Sequence, residues 1–214
     1  MNTSGISGTP AHERPGAAGS GSGALAGRRI IIGVTGGIAA YKTAMVVSRL
    51  AQAGAQVRVA MTEAATHFVA PLTFQALSGH PVYTSAWQHV ESQDPQHISL
   101  ATSADLALVA PCTMDCMAKL ATGRTDDVVT LILSAIDRRK TTVLLAPAMN
   151  SVMWAQPSTQ RNLRTLVDDG FEIIGPDEGW QACRHIGAGR MTEPETLLER
   201  ISQKLRSRVS SVNP

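Results

Sequence analysis

Two adjacent glycines in GVTGGIAAYK, residues 33–42, stand between an apolar run and a segment with helical spacing. Without Cβ atoms, Gly36 and Gly37 let the backbone approach a phosphate, whose charge the amides of a helix N-terminus then neutralise. A tight strand-to-helix turn that binds nothing accounts for the same residues. The spacing also differs from the G-x-G-x-x-G of dinucleotide-binding proteins. The glycine turn is therefore a candidate phosphate site.

The second apolar run ends at Thr62, and Glu63 follows it. Nicotinamide enzymes place an acidic residue at the tip of this strand, where it binds the ribose hydroxyls. A hydroxyl in that position suits a phosphate or the edge of a flavin better. The sequence therefore disfavours NAD and favours a mononucleotide.

His97 has the histidine position best suited to chemistry. It lies in the polar stretch DPQHISLATSADL, just before a short helix that leads into the third apolar run. An imidazole there can exchange a proton near neutral pH. The alternative is that His97 is structural or merely exposed. We interpret four other histidines in that way, because no neighbouring residues suggest a site: His12, His67, His80 and His89.

The three cysteines differ in their surroundings. Cys183 lies in the glycine-rich GWQACRHIGAGRM, which predicts a mobile loop whose thiol could act as an acid or reductant. A half-buried cysteine in a connector is the alternative. Cys112 and Cys116 have C-x-x-x-C spacing, but no second Cys/His pair completes the four ligands of a zinc site. We therefore expect no bound metal and no disulfide framework. We interpret Cys112 and Cys116 as small side chains in a strand-to-helix loop.

Asn150 follows the run VLLAP, which is typical of a strand buried on both faces. It is flanked by Met149, Met153 and Trp154. A single amide among large apolar side chains at a strand end is unusual. It can serve as a helix cap, a ligand contact or both.

Five short runs rich in Val, Ile and Leu position these residues: 29–34, 56–61, 104–110, 141–147 and 171–176. Such runs are typical of parallel strands covered on both faces. Helical segments separate them, with Gly54 as a left-handed stop, Pro157 and Gly170 around a later helix, and Thr192 with Glu195 in capping-box spacing. We predict a Rossmann-like (flavodoxin-like) doubly wound parallel sheet in three α/β/α layers, with ligands beyond the carboxyl ends of the strands.

Length and composition predict a single folded unit. The chain has 214 residues, 43% of them hydrophobic, and a net charge of +2. The net charge does not indicate the strongly basic surface that binds nucleic acid or an anionic membrane. No apolar stretch is long enough to span a bilayer. Without a secretory signal, the protein is expected in the cytoplasm. We expect a disordered tail over residues 1–27, the folded unit over 28–206 and a frayed end over 207–214.

Three segments in order, GVTGGIAAYK, PAMNSVMW and ACRHIGAGRM, with His97 between the first two, resemble the flavin-containing cysteine decarboxylases. The similarity extends over about residues 28–205 and is greatest to the phosphopantothenoylcysteine decarboxylases of coenzyme A biosynthesis. It implies FMN-dependent conversion of 4′-phospho-N-pantothenoylcysteine to 4′-phosphopantetheine. It also implies a homotrimer, sometimes assembled into a dodecamer, with sites at subunit contacts.

The resemblance assigns roles to individual residues. FMN would be held by Gly36, Gly37, Ile38, Ala39, Thr62, Thr113, Asp115 and Ala148. The substrate would be held by Asn150, Met153, Ala182, Arg190 and Met191, with His97 and Cys183 catalytic. Met114 and Cys116 depart from the family's Pro-Ala-Ser-Ala-Asn-Thr string, and Arg184 and His185 replace a glycine and an acidic residue.

Related activities remain alternatives. An oxidative decarboxylase of a peptide C-terminal cysteine needs no reducing-step thiol, and a flavin prenyltransferase would lack the Asn150 string. A non-catalytic regulatory flavoprotein is the alternative from a different class. The combination of His97, Asn150 and Cys183 favours an enzyme. A natural single-function enzyme and a fragment of a fusion with a synthetase fit the sequence equally well.

Overall fold

The computed structural model describes residues 22–88, 95–182 and 184–210. Its main sheet contains the strands β1 (Arg29–Val34), β2 (Gln56–Met61), β3 (Val82–Tyr83), β4 (Leu106–Cys112), β5 (Thr142–Pro147) and β6 (Glu172–Ile173). All are parallel, in the order β3-β2-β1-β4-β5-β6. The strands β7 (Asp177–Trp180) and β8 (Ile186–Arg190) form a separate antiparallel hairpin.

Helices cover both faces of the sheet. They are α1 (Ala40–Gln52), α2 (Glu63–Thr66), α3 (Pro71–Ser78), α4 (Gln96–Ser103), α5 (Met114–Ala121), α6 (Val128–Ser134), α7 (Ser151–Ala155), α8 (Pro157–Asp168) and α9 (Pro194–Ser210). Helices α1, α3 and α9 share one apolar core with the sheet, and α4, α5, α6 and α8 share the other. The result is a three-layer α/β/α arrangement.

The apolar runs form central strands because both of their faces are buried. Ile30 and Ile32 belong to the core under α1, whereas Ile31 belongs to the opposite core. All seven residues of β4 are buried. A parallel strand with helices on both sides needs apolar residues at consecutive positions, which is the pattern found here.

The Rossmann-like, doubly wound prediction is confirmed. The strand order reverses between β1 and β4, as in the dinucleotide-binding form of this fold and unlike the 2-1-3-4-5 order of flavodoxin. All five predicted strands are present, although β4 is shifted to Leu106–Cys112 and β6 is shortened to Glu172–Ile173. The two-residue edge strand β3 and the hairpin β7–β8 were not predicted.

Both ends of the folded unit extend beyond the predicted limits. Ser22–Ala24 form a 3-10 helix, and Leu25, placed in the tail by its composition, packs into the core under α1. Helix α9 continues to Ser210. The rest of the predicted tail, residues 1–21, and the end, residues 211–214, lie outside the described residues.

The predicted capping box at Thr192 is wrong. Helix α9 begins at Pro194, and the Thr192 hydroxyl donates to Asp177 Oδ1 at 3.0 Å instead of capping the helix. The hydroxyl therefore ties the start of the hairpin to the chain leading into α9.

Among the residues described, no helix combines the length and apolar character needed to cross a bilayer.

Candidate functional site

One large cavity lies where β1, β2, β4 and β5 end, with the hairpin β7–β8 as a further wall. Its volume is about 1350 Å³. Pockets for a single small ligand usually measure about 300–1,000 Å³, so this cavity has room for a cofactor and a substrate together. It includes the point between β1 and β4 where the strand order reverses, the usual ligand position in open α/β sheets.

The glycine turn lines this cavity, but its two glycines are required for different reasons. A Cβ atom on Gly36 would lie 2.5 Å from Ala64 Cβ, so Gly36 permits close packing against the segment after β2. A Cβ on Gly37 would lie 3.6 Å from Pro111 and 3.7 Å from Thr113, which are ordinary contacts. The tight-turn interpretation therefore explains Gly36, and a ligand remains a reason for Gly37.

A buried hydroxyl joins the ends of β1 and β4. Thr35 Oγ1 donates to the Pro111 carbonyl at 2.6 Å and accepts from the Thr113 amide at 3.1 Å. The Thr113 hydroxyl, 3.2 Å from Thr35 Oγ1, caps α5 by accepting from the Cys116 amide. Thr62 caps α2 in the same way. Both threonines predicted to contact the cofactor are therefore held in fixed positions at the cavity.

Asn150 caps α7 and lines the cavity. Its Oδ1 accepts from the Val152 amide at 2.8 Å. Met149 and Met153 lie in the cavity wall beside it. Trp154, which also flanks Asn150 in the sequence, is not part of the lining and packs instead against the core shared by α4, α5, α6 and α8.

The hairpin brings the remaining predicted substrate residues to the same cavity. Ala182, Arg190 and Met191 all line it. The Met149 amide donates to the Gly189 carbonyl at 2.9 Å, which attaches the hairpin to the end of β5. Gly189 has φ +141°, and a Cβ there would overlap the Met149 carbonyl oxygen. Only glycine fits this close approach.

An ion-pair group that the sequence did not reveal lies at the hairpin side of the cavity. Glu193 Oε1 lies 2.8 Å from Lys42 Nζ and 3.2 Å from Arg190 NH1. The hydrogen bond with Lys42 holds the pKa of Glu193 below its usual range. Arg190 Nε is buried and has no hydrogen-bond partner among the described residues.

A second unpredicted group surrounds Lys119 on α5. Its Nζ lies 3.1 Å from Asp115, 3.2 Å from Asp126 and 3.1 Å from Asp127. Burial alone would lower the pKa of Lys119, but hydrogen bonds with Asp127, Asp115 and Asp126 outweigh burial and raise it. All four residues line the cavity. One ammonium group thus offsets three carboxylates at the cavity wall.

Cys112 and Cys116 have structural positions that differ from the predicted loop. Cys112 ends β4 and Cys116 lies in α5, and both are buried and free. A hydrogen bond with Cys112, together with burial, raises the pKa of the Cys116 thiol well above its usual range. Within the described ranges, no three His, Cys, Asp or Glu side chains are grouped for a metal ion.

The cavity collects every predicted cofactor and substrate residue, but not the two predicted catalytic ones. All residues assigned to FMN and substrate line it. His97 is half-buried on α4, one of the helices on the face of the sheet opposite α1, and is not part of the cavity lining. Cys183 lies outside the described residues. Trp180 and Gln181 line the cavity and were not predicted.

Together, the reversed strand order, the glycine turn and the hydroxyls at the strand ends define a doubly wound α/β protein with a nucleotide-type site. Its sequence specifies the class further. The chain belongs to the Flavoprotein family, whose profile matches residues 19–206.

Curated relatives are similar over most of this chain. The coenzyme A biosynthesis bifunctional protein CoaBC of Bacillus subtilis is 45% identical over 175 residues, which are 82% of this chain and 42% of the relative. The protein of the same name from Escherichia coli (strain K12) is 47% identical over 175 residues, with the same coverage. The chain spans less than half the length of these relatives.

Solved structures share the fold. A PPC decarboxylase variant complexed with pantothenoylaminoethenethiol has a TM-score of 0.74 and 29% identity, over 82% of this chain and 96% of that chain. The FMN binding protein AtHal3 has a TM-score of 0.74 and 29% identity, over 84% and 97% of the two chains. The FMN-dependent cysteine decarboxylase SpaF has a TM-score of 0.73 and 29% identity, over 86% and 98%.

Proposed function

We propose that this chain binds FMN and decarboxylates 4′-phospho-N-pantothenoylcysteine to 4′-phosphopantetheine, a step of coenzyme A biosynthesis. The observation that carries the proposal is the meeting of the glycine turn, Asn150 and the hairpin residues in one cavity. The similarity to the CoaBC proteins supports the same activity. The cytoplasmic location predicted from the sequence belongs to this proposal and stays a prediction.

The cavity suits FMN in its donor groups and its walls. Gly37 leaves the backbone open to a phosphate at the start of α1, which no side chain caps. Thr62 and Thr113 supply hydroxyls, while Ile38 and Met149 supply apolar surface. Bound FMN would supply a two-electron acceptor for oxidation at the carbon bearing sulfur and a donor for the later reduction, so the reaction would have no net redox change.

Asn150 is proposed to orient the substrate carboxylate. A neutral amide can donate to a carboxylate without the attraction of a cation, which would stabilise the ion and resist its loss as carbon dioxide. Met149 and Met153 supply apolar surface beside it. Because Asn150 Oδ1 accepts from the Val152 amide, the side chain has a fixed orientation.

His97 is proposed to accept the proton released during oxidation, and Cys183 to donate a proton late in the reaction. Because His97 does not line the cavity of its own chain, we propose that a neighbouring copy in a trimer supplies it. An exposed apolar stripe on and before α1, formed by Ile38, Tyr41 and Met45 at helical spacing, supports self-association. Dodecamers assembled from such trimers belong to the same proposal.

The test begins with the purified protein. Absorption at about 450 nm and release of FMN on denaturation are expected of a bound oxidised flavin. Mass spectrometry should then detect 4′-phosphopantetheine from phosphopantothenoylcysteine. An oxidised enethiol from a cysteine-ended peptide would support the peptidyl-cysteine alternative instead. Bound FMN with turnover of neither compound would contradict the proposal and favour a regulatory flavoprotein.

A further inference from the structure

Gln181 is a buried side-chain amide between the hairpin β7–β8 and the start of α7. It is 7% exposed. Its Oε1 accepts from the Ser151 amide at 3.2 Å, and its Nε2 donates to the carbonyls of Gly187 at 3.3 Å and Ala188 at 3.1 Å. These contacts bind one amide group to the backbone of two separate segments.

The backbone of Gln181 also closes the turn of the hairpin. Its N–H donates to the His185 carbonyl, and its carbonyl accepts from the Arg184 N–H, both at 2.9 Å. A Cβ on Gly189 would lie 2.7 Å from Gln181 Nε2, so the packing around this side chain is close. Gln181 thus fixes both the hairpin turn and the path of β8.

The two segments that Gln181 joins are neighbouring parts of the cavity wall, already linked by the hydrogen bond from the Met149 amide to the Gly189 carbonyl. Ser151 directly follows Asn150, and Ala188 precedes Gly189, Arg190 and Met191. Asn150, Arg190 and Met191 all line the cavity. The Gln181 contacts therefore hold Asn150 beside β8 together with the Met149–Gly189 backbone hydrogen bond.

We propose that Gln181 is a positioning residue that sets Asn150 against the β8 wall of the cavity. This inference rests on the proposed function, in which Asn150 holds the substrate carboxylate. Glutamine has both the acceptor for Ser151 and the donors for Gly187 and Ala188. A carboxylate lacks the donors, and an apolar side chain lacks both, leaving part-buried backbone groups unsatisfied.

The kinetic test compares Gln181→Leu and Gln181→Glu with wild type, using FMN-loaded protein. Gln181→Leu should lower kcat/KM for phosphopantothenoylcysteine by about 100-fold, as expected of a misplaced binding group, with FMN affinity unchanged. Gln181→Glu should be equally impaired at neutral pH and regain activity as the pH falls, because a protonated carboxyl can donate to Gly187 or Ala188.

The matched control is Gln160→Leu. Gln160 Nε2 likewise donates to a backbone carbonyl, that of Trp154, at 2.7 Å, but it lies on α8 outside the cavity lining. Equal kinetic effects at positions 160 and 181, or a wild-type pH profile for Gln181→Glu, would overturn the inference. A loss of FMN affinity as large as the loss of kcat/KM would overturn it too, because Gln181 would then be a cofactor contact.

A readout without turnover separates this inference from the proposed function. Arg184 is exposed and has φ +66° in the turn that Gln181 closes. Trypsin should cut after Arg184 about tenfold faster in Gln181→Leu than in wild type, since local opening governs cleavage. Equal rates would overturn the positioning role. If wild type binds FMN but leaves phosphopantothenoylcysteine unchanged, the proposed function fails while the trypsin comparison still decides the role of Gln181.

Discussion

Lys42 Nζ lies 2.8 Å from Glu193 Oε1, although 151 residues separate the two in the chain. The pair joins the start of α1 to the segment that leads from the hairpin into α9. Because the Lys42 side chain is 14% exposed and Glu193 also contacts Arg190, the contact fixes two walls of the cavity relative to each other.

This pair makes part of the stability pH-dependent. Lys42 lowers the pKa of Glu193 below its ordinary value of 4.5, so the stabilisation is present above that pH and is lost as the pH falls through the folded-state pKa. Glu193→Gln should lower the free energy of unfolding at neutral pH by at most about 1 kcal/mol, because the carboxylate is partly solvated. Thermal unfolding from pH 3 to 7 should show the wild-type advantage shrinking below about pH 4.5. The exposed Glu199→Gln is the control, and a gap that does not change with pH would contradict the prediction.

The two glycines of the turn should respond differently to alanine. Gly36→Ala brings a Cβ within 2.5 Å of Ala64 Cβ and should destabilise the FMN-free protein by about 1–3 kcal/mol, the usual cost of overpacking. Gly37→Ala meets only ordinary contacts, so the FMN-free protein should keep its stability while FMN binding weakens. Denaturant unfolding and FMN titration measure the two quantities. Normal FMN affinity in Gly37→Ala would remove Gly37 from the phosphate site.

Loss of the Lys119 ammonium should leave three carboxylates without their shared cation. Lys119 is 18% exposed, whereas Asp115 is 71% and Asp126 is 42% exposed, so water screens part of the effect. Lys119→Met should therefore lower the free energy of unfolding by about 1–3 kcal/mol, less than for a fully buried pair. Weaker FMN binding should accompany this loss, because the added negative charge faces the cavity. Lys140→Met, which removes a lysine that is 82% exposed, should have little effect on either measurement.

The part of the cavity lining that lies at the ends of the strands could be located from the sequence. Consecutive apolar residues identify the central strands, and parallel strands bring Gly37, Thr62, Thr113 and Asn150 to one edge. The Lys42–Glu193 pair depends on how α1 and α9 pack, which no local pattern records. Met153 and Trp154 are consecutive in α7, yet Met153 lines the cavity and Trp154 packs against the core. The direction of α7 decides this difference.

The short edge strand and the hairpin were missed for related reasons. β3 has two residues and pairs only through Val82 and Tyr83, too few to produce a periodic pattern. β8 has the sequence IGAGR, in which glycines replace the branched residues typical of strands. Its glycines are needed for close packing, as Gly189 shows against Met149.

Cys183→Ser tests the catalytic role proposed for Cys183, which lies outside the described residues. If the thiol donates the late proton, the variant should stall at an oxidised, decarboxylated enethiol after at most about one equivalent of phosphopantothenoylcysteine per site, because the flavin keeps the two electrons that it would otherwise return. Mass spectrometry of the products distinguishes that compound from 4′-phosphopantetheine. Normal yields of 4′-phosphopantetheine from the variant would show that the assigned role is wrong.

Asn150→Asp separates the two roles proposed for Asn150. Aspartate is as good a helix cap as asparagine, so α7 and the free energy of unfolding should be preserved. The new carboxylate would repel the substrate carboxylate, and kcat/KM should fall by at least about 100-fold with FMN still bound. Asn150→Ala removes the cap as well and should cost about 1 kcal/mol in addition. Activity near wild type in Asn150→Asp, with lost activity only in Asn150→Ala, would mean that Asn150 serves the helix and not the substrate.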